Sequence, residues 1–251
     1  QIKDSIESYE HPFLSVLIRT QGKREEGLRE SLLCVQAQTF TDYEVILIGH
    51  KADVDGKLMI QDILDDQQDD FREKIRYIEL DEGTRTVPLN MGFACARGEY
   101  ISVFDDDDIL FDNWAEGFHR AAQENAGRIL HGYAFSQDWE NVKELGYRAI
   151  GRPKALYCQK FDLLWQLVNN RCPLMTLAFP VAMFQKMGIC FDEKLNIMED
   201  WEYFMRLALI CGVTDISEPV AIYRFWKNIE TSATLHNQEE WTQMYEEIRD
   251  D

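Results

Sequence analysis

Short apolar runs alternating with amphipathic stretches set the pattern of the first hundred residues. Residues 13–19 (Phe-Leu-Ser-Val-Leu-Ile-Arg) form a strand-like run that gives way at once to the polar Thr20–Lys23. Leu28, Leu32, Leu33 and Val35 then recur at helical spacing as far as Gln38. A second buried strand spans Tyr43–Ile48 and ends at Gly49. Residues 55–73 predict one helix with Leu58, Ile60, Ile63 and Leu64 inward and a very acidic outer face: Asp62, Asp65, Asp66, Asp69, Asp70 and Glu73. A third strand is expected over 75–80, then a helix for which Asn90 is a suitable cap. The fourth strand, 100–104, runs directly into Asp105, Asp106, Asp107 and Asp108.

This strand–helix alternation is that of βαβ units and a mostly parallel sheet, with ligands expected beyond the carboxyl ends of the strands. Thr20, His50 and Asp105 lie at three such ends. The second half is less regular. A helix is expected over 113–124, a strand over 129–136, a loop or hairpin over 137–160, helices over 160–169 and 199–211, short strands near 175–180 and 220–225, and a peripheral helix over 238–248.

Composition narrows the function classes. With 26 Lys+Arg against 45 Asp+Glu the formal charge is −19. Such a field repels duplex nucleic acid and anionic membranes unless a local basic patch intervenes. No apolar run reaches the roughly 18 residues of a transmembrane helix. The longest, 173–184, stops at Gln185 and Lys186. The six cysteines are scattered without a CxxC pair, as expected of reduced thiols in a reducing compartment. No signal peptide is evident, and a start at Gln1 without Met raises the expectation of further domains in a longer chain.

Four aspartates after a buried strand are the strongest chemical feature. Hard carboxylate oxygens there suit Mg²⁺ or Mn²⁺, which would neutralise a diphosphate that the acidic protein otherwise repels. The bland alternative is a solvated turn in which Asp108 or Asp112 caps the next helix. The second feature is Glu199-Asp200, placed in the first turn of a helix whose Trp201, Phe204, Met205 and Ala208 face inward. The helix dipole alone explains such carboxylates, but one of them is also suited to act as a general base. The third is the segment 83–98, where Gly92 and Gly98 allow close backbone approach and Arg85 is suited to pair with a phosphate.

In order, these motifs resemble the family 2 glycosyltransferases over about residues 12–225. The resemblance is carried by residues 14–20, 32–46, 89–101, the DxD-type run 103–108, residues 188–195 with Glu199-Asp200-Trp201, and Tyr223-Arg224. It implies an α/β, GT-A-type, Rossmann-like mostly parallel sheet flanked by helices, with a smaller mixed acceptor-side region, in one domain. That domain divides into a nucleotide-sugar-binding half (about 12–108), an acceptor-side half (about 109–235) and a peripheral C-terminal helix (about 236–251). The implied activity is inverting, metal-dependent transfer of a sugar from a nucleotide-diphosphate donor to a glycan or glycolipid hydroxyl in surface polysaccharide biosynthesis. It implies Mn²⁺ or Mg²⁺ as cofactor, a UDP-sugar as the favoured donor, and a cytoplasmic location at the inner membrane face.

Carried over residue by residue, Asp107 binds the metal with Asp105, and Asp105 or Asp106 contacts ribose or a metal-bound water. Asp200 is the catalytic base, Glu199 and Trp201 shape the acceptor side, and Thr20, Asn90 and Arg85 contact the donor. The family's uracil-reading Asp pair after the second strand is replaced by Ile48-Gly49-His50-Lys51, which leaves His50 or a backbone group for that task, or a base other than uracil. His236 is a weaker candidate late metal ligand. Trp139, Tyr147, Tyr157, Trp165 and Trp201 are available to stack sugars or fill the core, and Arg148, Arg152, Lys154 and Lys160 suit an anionic acceptor or lipid surface. Two other classes remain open. One is a catalytically inactive sugar-nucleotide-binding module of a larger protein. The other is a nucleotidyltransferase, which Thr20–Arg24 only faintly suggests as a phosphate loop.

Overall fold

Leu14–Thr20 (β1) and Tyr43–His50 (β2) are buried along almost their whole length, as strands covered by helices on both faces must be. They lie at the centre of a parallel unit completed by Ile75–Leu80 (β3) and Tyr100–Val103 (β4) in the order β3-β2-β1-β4. The computed structural model describes residues 11–143, 145–228 and 238–250. Helices Glu25–Gln36 (α1), Val54–Asp65 (α2), Asp69–Arg72 (α3) and Val87–Cys95 (α4) link these strands. The chain runs outward from β1 to β3 and then returns to β1's other edge as β4. The crevice at the C-terminal ends of β1 and β4 is therefore the topological switch point, where ligands bind on open α/β sheets.

Antiparallel pairing of Leu177–Pro180 (β8) with β4 extends the sheet into the second half. Ile129–Val142 (β6) follows, pairing antiparallel with β8 and with Gly146–Tyr157 (β7) and parallel with Val213–Trp226 (β9). Ile109–Leu110 (β5) pairs with β9 at the far edge. Trp114–Glu124 (α5), Leu163–Val168 (α6), Val181–Gln185 (α7), Glu199–Cys211 (α8) and Gln238–Asp250 (α9) complete the described helices. The result is the mixed α/β fold with a curled, helix-flanked sheet expected from the sequence. Two apolar clusters form its core: Leu14, Val16, Ile18, Val45 and Leu47 on one face of the sheet, Leu17, Ile46, Ile48, Ile101 and Val103 on the other.

Several local expectations need correction. The helix expected over 55–73 is two helices, broken at 66–68. Aspartates at 62/66, 65/69 and 66/70 would repel at helical i,i+4 spacing, whereas Asp69 and Asp70 in the first turn of α3 meet a favourable dipole. Leu33 and Leu58 point outward, 61% and 60% exposed. Asn90 lies inside α4 and caps nothing, and neither Asp108 nor Asp112 caps α5, which begins after Asn113. The 137–160 segment is the β6–β7 hairpin, and the strand expected over 220–225 begins at Val213.

Candidate active site

Side-chain alternation along β1 and β4 aims the site. Leu17 and Val103 share one core cluster, so Arg19 and Asp105, two residues on, emerge on that same face, and Thr20 and Asp106 on the other. Arg19 grips Asp105 with both prongs of its guanidinium, Nε donating to Oδ1 at 2.9 Å and Nη2 to Oδ2. Thr20 Oγ1 donates to Asp106 Oδ2 at 2.7 Å, and Arg24 Nη1 sits 3.1 Å from both Asp106 Oδ1 and Asp107 Oδ2. From β9, the Arg224 backbone N–H donates to Asp108 Oδ1 at 2.7 Å and Trp226 Nε1 to the Asp107 carbonyl at 3.0 Å. Every carboxylate of the run thus has an assigned partner. Helix α1 comes so close that a Cβ on Gly27 would lie 2.3 Å from the Asp106 carbonyl oxygen.

The N-terminus of α8 is linked to this loop by Arg19. Its preceding residue, Met198, is held at φ 62°, a left-handed conformation that costs a non-glycine residue on the order of 1 kcal/mol. Glu199 is buried and accepts from Arg85 Nε at 2.7 Å, and Arg19 lies within electrostatic reach of Glu199 and Asp200 while bound to Asp105. Arg19 Nη1 also donates to the Arg85 carbonyl at 3.2 Å. The two acidic motifs, 95 residues apart from Asp105 to Asp200, therefore meet around Arg19.

A model of the glycosyl transferase family 2 matches residues 15–174, well over half of the chain. The chain belongs to that family. An uncharacterised glycosyltransferase of Rickettsia prowazekii is 23% identical over 93% of the chain and 70% of its own length. The GalNAc(5)-diNAcBac-PP-undecaprenol beta-1,3-glucosyltransferase of Campylobacter jejuni is 25% identical over 60% of the chain and 47% of its length. Among solved structures, S. aureus TarS 1-349 in complex with UDP-GlcNAc superposes with a TM-score of 0.70 at 17% identity, covering 92% of this chain and 64% of that one. The likeness to TarS carries the GT-A fold, and the family places this glycosyltransferase among the transferases.

Within the glycosyltransferase site, burial controls the acids. It pushes Asp106 up to about 7 against the opposing pull of Arg24, and Glu199 up to about 7 against that of Arg85. Burial also raises Asp107, and raises Asp108 well above the usual carboxylate range. His50, at the end of β2, is pushed down by burial and by neighbouring Lys51, and its Nε2 has no partner among the described residues. Lys51 itself has φ 54°, so the β2 end, like the start of α8, has left-handed non-glycine backbone.

The other candidates are placed differently. Asn90 Nδ2 donates to the Phe191 carbonyl and Glu193 Oε1, each at 3.1 Å, and Oδ1 accepts from Phe191 N–H, so its amide ties α4 to the segment before α8. Arg85 pairs with Glu199 at the start of α8. Trp201 is buried with Nε1 donating to the Gln166 carbonyl at 2.7 Å, which anchors α8 to α6. Trp139 stacks on the buried guanidinium of Arg224. His236 lies outside the described residues. Sequence reasoning assigns Arg19 no role and does not pair Arg24 or Arg224 with the aspartates; the signal for Arg19 is a cation two positions beyond Leu17, the last inward leucine of a buried strand.

Among the described residues no three His, Cys, Asp or Glu side chains are arranged as a ready metal cage. Mg²⁺ and Mn²⁺ do not need one, because one or two carboxylates, waters and substrate phosphates complete their shell. Asp105 and Asp107, i and i+2 on the loop with 34% and 26% of their side chains exposed, fit that donor set. Asp106 does not, being buried between Thr20 and Arg24.

Proposed function

We propose that this glycosyltransferase is an inverting, metal-dependent enzyme that moves a sugar from a nucleoside-diphosphate donor to a hydroxyl of a glycan or lipid-linked acceptor. Its setting is surface polysaccharide or glycolipid assembly at the cytoplasmic face of a membrane. The observation that carries this reading is that Arg19, bound to Asp105 at the head of the aspartate run, lies within electrostatic reach of Glu199 and Asp200. TarS, which shares the fold, was solved with UDP-GlcNAc, and the Campylobacter relative is named for an undecaprenol-linked substrate; both favour this donor and acceptor chemistry.

In this mechanism the donor lies along the ends of β1, β2 and β4. Thr20 lines its pocket, and His50 Nε2 serves the base in place of a carboxylate. Asp105 and Asp107 would hold the cation, which when bound neutralises the diphosphate as a leaving group. Asp200 takes the proton from the acceptor hydroxyl. The oxygen then bonds to the anomeric carbon from the face opposite the diphosphate, while the carbon–oxygen bond to phosphate breaks and its electron pair leaves with the nucleotide. Glu199, clamped by Arg85, fixes the start of α8 and hence the position of Asp200. The test is Asp200→Asn, assayed for turnover and for donor binding. Loss of a general base lowers kcat about 10²–10⁴-fold with donor affinity retained, and unchanged turnover would remove Asp200 from that role.

A further inference from the structure

Charge is unevenly distributed along this acidic chain. Residues 143–171 carry six Lys/Arg against two Asp/Glu, while the other 222 residues carry 20 against 43. The segment includes β7 and α6, two elements that leave much of their surface to solvent. Helix α6 has its apolar residues on the outside: Leu164, Trp165 and Val168 are 73%, 61% and 62% exposed, and they share one face at i, i+1 and i+4 spacing. The inward position of the helix is instead taken by Gln166, which is buried. A helix turned out in this way is not completing the core of the chain.

Beside that face is a cavity of about 210 Å³ whose lining includes Lys160, Phe161, Asp162, Trp165, Gln166 and Arg171. The Arg171 guanidinium lies 5.8 Å from the Trp165 ring, so a cation and an exposed indole share one rim. Arg148 and Lys154 on β7 pair across the hairpin with Glu140 and Asp138, and at α6 Lys160 and Arg171 stand with the carboxylates of Asp162, in the cavity lining, and Asp215, within electrostatic reach of Lys160. An aromatic ring with a polar edge, protruding leucine and valine, and cations at the same level make up the chemistry of a helix lying in a lipid headgroup layer. The opposite sign of charge over the rest of the chain would keep every other face away from an anionic surface.

We propose that α6 and the Lys160–Arg171 cavity form a docking surface for an anionic lipid bilayer, the cavity receiving a lipid phosphate and Leu164, Trp165 and Val168 entering the interface. This deepens, and rests on, the membrane-face location proposed above. It also gives that location a geometric purpose. The Gln166 carbonyl of α6 holds Trp201, the residue next to Asp200, so docking here sets the proposed base at the membrane edge of the site, where a lipid-linked hydroxyl would arrive.

The test is co-sedimentation of the full chain with phosphatidylglycerol-containing or pure phosphatidylcholine vesicles, without donor or acceptor. The wild type is expected to partition to the anionic vesicles. Lys160→Glu/Arg171→Glu should weaken that partitioning at least about ten-fold, because each cation near an anionic surface contributes to the attraction. Leu164→Glu/Trp165→Glu, whose substituted side chains are mostly solvent-exposed and so leave the core intact, should abolish it. Tryptophan emission should shift to the blue on anionic vesicles in the wild type and lose most of that shift in Trp165→Phe. Failure of the wild type to bind anionic vesicles, equal binding to phosphatidylcholine, or undiminished binding by both double variants would overturn the proposal. Transfer to a soluble acceptor by Leu164→Glu/Val168→Glu, also expected to lose vesicle binding, is expected to persist, which separates failure of the docking surface from failure of the transferase reading.

Discussion

Two acidic runs of similar density lie in this chain and have opposite characters. Asp62, Asp65, Asp66, Asp69 and Asp70 stand exposed on α2, α3 and the turn between them, where water screens their repulsion and the helix breaks in their midst. Asp105–Asp108 lie at the switch point between β1 and β4, and each has a designated partner: Arg19, Thr20 with Arg24, Arg24, and the Arg224 backbone. Topology rather than composition separates them. A carboxylate on an outer helix face is free to be solvated, whereas one at the end of a buried parallel strand must be paired, protonated or bound to a cation.

The comparison is broken most forcefully by exchanging one carboxylate in each run. Asp107→Asn is expected to lower kcat/KM by at least about 10²-fold, the scale of losing several kcal/mol of leaving-group stabilisation. Asp66→Asn should stay within about two-fold, as surface substitutions do. Comparable losses in both variants would mean that the site loop has no special role. Next in size is Gly27→Ala. A methyl group meeting the Asp106 carbonyl at 2.3 Å forces α1 or the loop to move, and should cost about 1–3 kcal/mol in denaturant unfolding.

A smaller effect separates buried from solvated acids by pH. Glu199 is held near 7 in the fold against an ordinary 4.5, so between those values the folded state binds more protons than the unfolded one. Stability therefore falls as pH rises from about 4.5 to 7 and is level for this group above that. Glu199→Gln should flatten that part of the profile, measured as melting temperature against pH, and an unaltered slope would assign it to other groups. Smallest of all is the exposed Arg29–Asp66 ion pair at 2.9 Å, whose removal should cost no more than about 1 kcal/mol.

Much of this was legible in the residues. Buried strands announce themselves by unbroken apolar runs, and the polar residue ending each one marks the ligand edge, which is how Thr20, His50 and Asp105 were found together. The start of α8 at Glu199 was equally readable from the inward period of Trp201, Phe204 and Met205. What the residues did not disclose were the counter-charges. Arg19, Arg24 and Arg85 reach their partners over 86, 82 and 114 positions, and no local pattern encodes such pairings. The bonds of Trp201 and Asn90 are hidden for a related reason: the indole N–H of Trp201 meets the Gln166 carbonyl and the Asn90 amide meets the Phe191 backbone, 35 and 101 positions away. The α2–α3 break was hidden because the apolar spacing continues through it while the aspartate repulsion does not favour one helix.

In the proposed function the Asp105–Asp108 loop binds a nucleoside-diphosphate sugar through a divalent cation. Calorimetric titration of the chain with UDP- and GDP-sugars, in Mn²⁺ and in EDTA, tests it directly. Saturable heat is expected for one nucleotide in Mn²⁺, with loss of that heat in EDTA and the same loss in Asp107→Asn with Mn²⁺ present. Equal heats with and without the metal, or undiminished binding by Asp107→Asn, would contradict it.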